Sequence, residues 1–496
     1  MLSFSCTILG TWEGVLIETS SNTMSFSGGP GGLLYQYIFV WIGTLCTFVS
    51  IGELASMAPT AGGQYHWVSM LAPKPCRNFL SYITGWLTIL SWIATIGAGA
   101  FLAGSMIQGL CLVNWSGFAL VIKPFHGTLI AWAVIMVAVL FNTVVAGLLP
   151  RVEGAFLILH VLGFFGILIP LLYYSPKGSG SDVFSTFMNE GGWPTYGISF
   201  MVGTGGLAFA FAGADAAVHM CEEITNAAIN VPRAIASSVV VNGSLGLGML
   251  VAVLFCMGDA QAALEAADTI IFPFIYIFIQ GTGSVVGSSV MTSILIALAV
   301  SGTVGFIATA SRMIWSFARD RGLPFSRMLS QVHRRSSVPV WAIAVASIVP
   351  CLLILINIGS NTVFNGVTSL TLVSLYSTYF ISLALLLHRR LGSTIKLPCP
   401  GALPEPACLE KQTGEYELTW GPWHVPGWVG TANNAVSLAY MLVVWVFGFF
   451  PAVRVVDAPH MNYSSVVFGA VVMYSTLYYY VWGRRQYKGP VIEISP

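Results

Sequence analysis

The chain has 496 residues, of which 56% are hydrophobic and only 8% are charged, with a formal net charge of +1. The charged residues gather between long apolar runs, which excludes a soluble globular protein. It also excludes a nucleic-acid binder, which needs a concentrated basic face. The cysteines form no CxxC pair and mostly lie inside apolar runs, as small core residues do, and not in the spacing of a disulfide framework or a zinc site.

At about 20 apolar residues per crossing, the sequence reads as an all-α membrane protein of about twelve transmembrane helices. These start near residues 1, 32, 80, 127, 154, 196, 235, 283, 338, 363, 430 and 463. Crossing 1 carries a break at Gly10-Thr11-Trp12-Glu13-Gly14. Little chain precedes Gly10, so a truncated or unusually short N-terminus is expected. Glu13 is an acid within a span beside an aromatic ring. That pair suits an ammonium group through charge pairing and cation–π attraction, worth roughly 0.5 to 2 kcal/mol; the plainer alternative is that Glu13 reaches the outer surface. Glu53 falls at the inner end of crossing 2, beside a turn containing Pro59 and Gly62-Gly63, with Arg233 and Arg312 on the same side. Such charges near water suit an inner gate, the alternative being an interfacial anchor.

His160, in crossing 5, is read as the only histidine well inside an apolar span. With a reference pKa near 6.5 it suits proton loading, the alternative being a hydrogen bond between helices. Crossing 6 is broken near its middle by Phe211-Ala212-Gly213-Ala214-Asp215. An acid at bilayer depth costs about 2.5 to 3.5 kcal/mol on insertion scales, so it normally faces a cavity and serves a substrate or a proton. Capping of the unwound backbone is the structural alternative for Asp215. The longest polar stretch, Leu391 to Trp428, is rich in Pro and Gly and too small and irregular for a catalytic domain.

With alternate connections assigned to opposite sides, only Lys123, Lys177 and Arg454 of the 20 Lys and Arg fall on one side. By the positive-inside rule both termini are cytoplasmic. Asn114-Trp115-Ser116 and Asn462-Tyr463-Ser464 are sequons on outer connections close to the membrane, which disfavours their occupancy.

Four segments carry a resemblance: Gly28-Gly29-Pro30; Gly52 to Tyr65 (GELASMAPTAGGQY); Glu222 to Ile235 (EEITNAAINVPRAI); and Ala310-Ser311-Arg312 with Ala318 to Pro324 (ARDRGLP). On these the chain resembles the fungal amino acid/choline permeases, GABA permeases included, of the amino acid-polyamine-organocation superfamily. The resemblance implies the LeuT-type fold, a 5+5 inverted repeat with discontinuous helices 1 and 6. Residues 1–174 are then the first repeat, 196–390 the second, 391–429 a cytoplasmic loop, 430–483 two peripheral crossings and 484–496 a cytoplasmic tail. It also implies a substrate site at the two breaks, Gly10, Thr11, Trp12, Glu13 and Gly14 with Phe209, Phe211, Ala212 and Gly213. In relatives a small-residue turn in the first break presents backbone amides to a carboxylate, and Trp12 and Glu13 depart from that pattern. Phe209 and Phe211 stand at the aromatic lid position of relatives, with plain packing as the alternative.

Asp215 and His160 are the candidates for proton coupling. Ser301 and Thr303 stand where sodium-coupled relatives place hydroxyl ligands, although small polar residues also pack such helices. The expected function is secondary active transport, by proton symport, of amino acids, GABA or a related small nitrogen compound. Choline or another quaternary amine is the second reading, and a non-transporting nutrient sensor is the reading of another class. No cofactor, metal or catalytic residue is expected. The expected partners are a small-molecule substrate, a coupling proton and the lipid bilayer, at the plasma membrane in preference to the vacuole.

Overall fold

A computed structural model describes residues 2–18, 28–115, 117–118, 121–258, 271–334, 337–358, 363–397, 408–410, 416–457 and 461–490. Ser116 of the first sequon and the connection residues Glu405, Lys411 and Glu415 lie outside the described residues.

The chain begins with two helices separated by one residue, α1 (Leu2–Leu9) and α2 (Thr11–Glu18). Gly10 has φ +49, a left-handed conformation that ends α1 and costs glycine little. The break is therefore shorter than the expected Gly10–Gly14 segment. Trp12, Glu13 and Gly14 are helical, and Gly14 N–H donates to the Gly10 carbonyl at 2.9 Å. There follow α3 (Gly29–Met57), a short helix α4 (Gln64–Leu71), α5 (Arg77–Asn114), α6 (Pro124–Thr143) and α7 (Leu149–Tyr174).

After a small helix α8 (Gly180–Ser185) the pattern of a broken helix returns with α9 (Tyr196–Ala210) and α10 (Ala216–His219). The five-residue turn between them, 211–215, matches the expected interruption, and Gly213 supplies its positive φ of 101°. Next come α11 (Ala227–Cys256), the short α12 (Pro273–Thr282), α13 (Val285–Arg319), α14 (Ser326–Leu329), α15 (Val340–Ile354) and α16 (Val363–Leu391). The polar connection after α16 contains three described strands. It forms a sheet from β1 (Ile395–Lys396), β2 (Cys408–Glu410) and β3 (Tyr416–Thr419) in the order β1-β3-β2, with β1 parallel and β2 antiparallel to β3. Helices α17 (Gly427–Phe447), α18 (Ser464–Tyr478) and α19 (Arg484–Gln486) complete the described chain.

Among the described residues, nine helices are long and apolar enough to cross a membrane, namely α3, α5, α6, α7, α11, α13, α16, α17 and the stretch Ser464–Gln486. Helices α9 and α15 are apolar but shorter. Intrahelical hydrogen bonding satisfies the backbone in lipid, which is why apolar spans are helical. The first broken helix and α10 pack against α11 and α13, whereas α9 packs against α3 and α2. Gly14 allows α2 to meet α9 at backbone distance, since a Cβ there would lie 2.6 Å from the Ala210 Cβ. Outer helices α6, α7 and α18 turn Met136, Ile158, Leu162, Ile169, Met473 and Leu477 outward, a surface that suits lipid. In the second sequon Asn462 is buried and donates to the Gly448 and Phe450 carbonyls, which sets it away from modification.

Candidate functional site

Each broken helix carries an acid beside a histidine, half-buried in the first and fully buried in the second. In the first, Glu13 Oε1 lies 2.8 Å from His160 Nδ1 on α7, and Trp12 Nε1–H donates to His160 Nε2 at 3.2 Å. Indole N–H can only donate, so Nε2 must be the accepting nitrogen and Nδ1–H the donor to Glu13. His160 is therefore neutral in this arrangement, and protonating Nε2 would expel the Trp12 bond. Trp12 is fully buried, with its ring against His160 and edge-on to Phe164 at 5.8 Å. Its ring is thus occupied by side chains of α7. Glu13 Oε2 and Thr11 Oγ1, both buried, have no hydrogen-bond partner.

In the second broken helix Asp215 immediately precedes α10 and is fully buried, as is His219 one turn later. Gln64 Nε2, at the start of α4, donates to Asp215 Oδ2 at 2.7 Å, and His219 Nε2 lies 3.9 Å from the same oxygen. Tyr379 on α16 stands beside the carboxylate, although its hydroxyl makes no hydrogen bond of standard geometry. Asp215 caps no helix with its side chain. His219 is a second buried histidine beside the broken helices, which the sequence reading did not single out. It escapes a hydropathy reading because the polar run Glu222 to Asn226 follows closely, yet its spacing of four residues from Asp215 puts both on one helical face. Gln64 was visible only as part of the GGQY segment.

Phe211 is buried against Tyr37 with ring centroids 5.2 Å apart, whereas Phe209 is partly buried against the core. Gly213 faces Ile8, Trp92 and Phe306, and Ala212 packs at the edge of the same core. Ser301 Oγ is buried without a partner, while Thr303 Oγ1 donates back to the Ala299 carbonyl at 2.9 Å. The two hydroxyls thus differ in their freedom to bind an ion.

The structure does not pair Glu53 with Arg233 or Arg312. Glu53 is fully buried and bound to Arg390 at the end of α16, by Nη2 to Oε1 at 2.7 Å and Nη1 to Oε2 at 3.2 Å. Val425 N–H and Asn434 Nδ2 complete its shell at 2.8 and 3.3 Å, and Trp420 covers the guanidinium 4.4 Å from its ring centroid. Arg312 instead pairs with Glu223 at 3.0 Å and Arg319 with Glu222 at 3.5 Å, both partly exposed, while Glu222 also accepts from Ala61 N–H at 3.0 Å. Arg233 is exposed on an open groove of about 560 Å³ lined also by Leu2, Glu223 and Ser237. Among the described residues no cluster of three or more His, Cys, Asp or Glu could hold a metal ion.

A family model described as amino acid permease matches residues 1–472. The chain belongs to the amino acid permease family. It is a multi-pass integral membrane transporter, not an enzyme. The permease is 32% identical over 469 residues to a protein of Macrophomina phaseolina named as an amino acid/polyamine transporter, a match covering 94% of this chain and 97% of the relative. It is 28% identical to the choline transporter of Saccharomyces cerevisiae, covering 97% of this chain and 80% of the relative. It is also 25% identical to amino-acid permease 2 of Neurospora crassa, covering 99% and 85%. These relatives agree on transport of nitrogen compounds and differ in the compound named.

Proposed function

We propose that this permease is a twelve-crossing secondary transporter of LeuT type that imports amino acids or a related small zwitterionic or cationic nitrogen compound, driven by protons. The observation that carries the reading is the pair of broken helices, each holding an acid against a buried histidine. The same order of elements supports the 5+5 repeat. In residues 1–174 a broken helix leads to a long helix, a short helix and three further crossings, and in residues 196–390 the sequence α9/α10, α11, α12, α13, α15 and α16 repeats that order. Residues 391–429 then form the cytoplasmic loop, 430–483 the two peripheral crossings and 484–496 the tail.

The substrate site is read at Gly10 to Gly14 and Phe209 to Gly213. Unsatisfied Glu13 Oε2 and Thr11 Oγ1 offer acceptors to an ammonium group. Choline or another quaternary amine is the second substrate reading, supported by the named activity of the yeast relative. His160 and Asp215 carry the proton. Charging His160 at Nε2 would break its bond to Trp12 and so move α2, which is how a proton would bias the substrate site. The partly exposed pairs Arg312–Glu223 and Arg319–Glu222 suit an inner gate, because exposed ion pairs break at little cost. The buried Glu53–Arg390 pair suits a permanent latch. Both termini lie in the cytoplasm, and the plasma membrane is the proposed location.

Uptake of labelled amino acids, GABA, choline and polyamines in a permease-deficient cell tests the substrate. Sensitivity to a protonophore at clamped voltage tests the coupling. Asp215→Asn should abolish concentrative uptake and leave exchange partly intact, and His160→Gln should shift the pH optimum by a smaller amount. Uptake that follows a sodium gradient and ignores the protonophore would overturn proton coupling and point to Ser301 and Thr303.

A further inference from the structure

His219 Nδ1 lies 2.8 Å from the Ala61 carbonyl oxygen, which can only accept, so Nδ1 carries a hydrogen. Nε2 therefore bears either a bare lone pair or a second proton. It faces Asp215 Oδ2 at 3.9 Å, and neither residue is reached by solvent. A bare lone pair opposite a carboxylate in a dry site leaves two acceptors facing each other. One oxygen of that carboxylate, Oδ1, makes no hydrogen bond of standard geometry, the other accepts from Gln64, and the further side chain beside the carboxylate is the neutral Tyr379 hydroxyl. One proton resolves the conflict. On Nε2 it makes an imidazolium–carboxylate pair, and on Asp215 it makes a neutral acid opposite a neutral imidazole.

The groups around the pair supply no competing charge. Tyr379 on α16 and Trp92 on α5, the latter edge-on to His219 at 5.9 Å, are neutral. On α1 the one titratable side chain is the buried Cys6. On α13 Arg312 and Arg319 are engaged by Glu223 and Glu222, and on α11 Arg233 is exposed. His66 on α4 lies near Arg319.

Both partners of the pair are also tied to one turn. Ala61 holds His219, Gln64 holds Asp215, and at Gly63 (φ +55) a Cβ would lie 3.0 Å from His219 Cε1, so the turn is wedged against the imidazole. We propose that Asp215 and His219 form a one-proton site whose occupancy fastens the 58–64 turn to the second broken helix. The proton arrives from water and returns to it, with no other bond made or broken. Its role in transport rests on the proton-coupled reading, whereas its binding is measurable without transport.

The test uses the purified full-length permease in nanodiscs with no gradient. A site that binds its proton more tightly when folded stabilises the protein at low pH, and that contribution is lost as pH rises through the folded-state titration. The melting temperature of the parent should therefore fall through a step on alkalinisation. His219→Gln and Asp215→Asn should each remove the step, and the double variant should remove no more than either. Amide hydrogen exchange in the parent, corrected for its intrinsic pH dependence, should speed up about tenfold across residues 58–64 over the same interval, a readout that does not depend on any variant folding. A step that persists in His219→Gln, or exchange at the turn that ignores pH, would overturn the proposal. A step with these properties in a permease whose uptake ignores a protonophore would keep the proton site and refute proton coupling instead.

Discussion

Removing Arg390 should be more damaging than removing the whole ion pair. In Arg390→Met the Glu53 carboxylate stays buried with only two neutral donors, Val425 N–H and Asn434 Nδ2. Breaking one side of a buried pair costs about 3 to 5 kcal/mol, because the surviving charge has lost its counter-ion in a dry site. With an unfolding entropy of about 2.1 cal/mol/K per residue over 496 residues, that cost lowers the melting temperature by roughly 3 to 5 °C. In Glu53→Leu/Arg390→Met no charge remains and Asn434 Nδ2 keeps its bond to Ser50. Asn434 Oδ1 and the Val425 carbonyl lose Arg390 in both variants, so the double exchanges an unpaired buried charge for the orphaned Val425 N–H, worth about 1 to 3 kcal/mol. The assay is thermal unfolding of purified protein followed by its fluorescence, with uptake per folded molecule measured in parallel. The double variant should melt above Arg390→Met and transport like the parent. A double variant that melts at the sum of the single losses would refute the latch, and one that melts normally but transports at an altered rate would return Glu53 to the gate.

Glu13→Gln should weaken uptake of a cationic amine about tenfold, equivalent to about 1.4 kcal/mol, and Trp12→Ala should also disturb His160 by removing its only indole donor, which uptake kinetics across pH would register. Gly213→Ala forces a side chain into a φ of +101° and sets a Cβ 3.1 Å from Ile8 Cγ2, so a loss of about 1 to 3 kcal/mol should appear as a lower melting temperature. Burial, with Arg319 nearby, holds His66 down to about 4. A lowered folded-state value means stability is lost as pH falls from about 6.5 toward 4, and His66→Phe should flatten that loss in acid melting curves. A tag placed beside Glu410 should be reached by antibody only after the cells are permeabilised, and labelling of intact cells would reverse the assigned sides.

The interruption of the second broken helix was legible because Gly213 and Asp215 interrupt an apolar run. The first was placed correctly but drawn too long, since Trp12 and Glu13 are compatible with helix and only Gly10 needs its special conformation. Glu53 was legible as a charge at a span end, but its partner was not. Arg390 is one of several arginines at span ends, and only tertiary packing chooses between them. His219 was missed because the polar run starting at Glu222 follows three residues on, and a hydropathy window averages it in. The small sheet after α16 lies in a segment whose Pro and Gly content masks its short pairings.

The latch also has a history within each molecule. Glu53 and Arg390 are 337 residues apart in the chain. At about 5 to 20 residues per second, the carboxylate is made and inserted roughly 20 to 70 s before its counter-ion exists. Newborn chains therefore pass through a stage in which an acid at the end of the second crossing must be tolerated alone, and chains that stop short of Arg390 never leave it. Quality control in the membrane could read completeness of synthesis directly from whether that one acid has been neutralised.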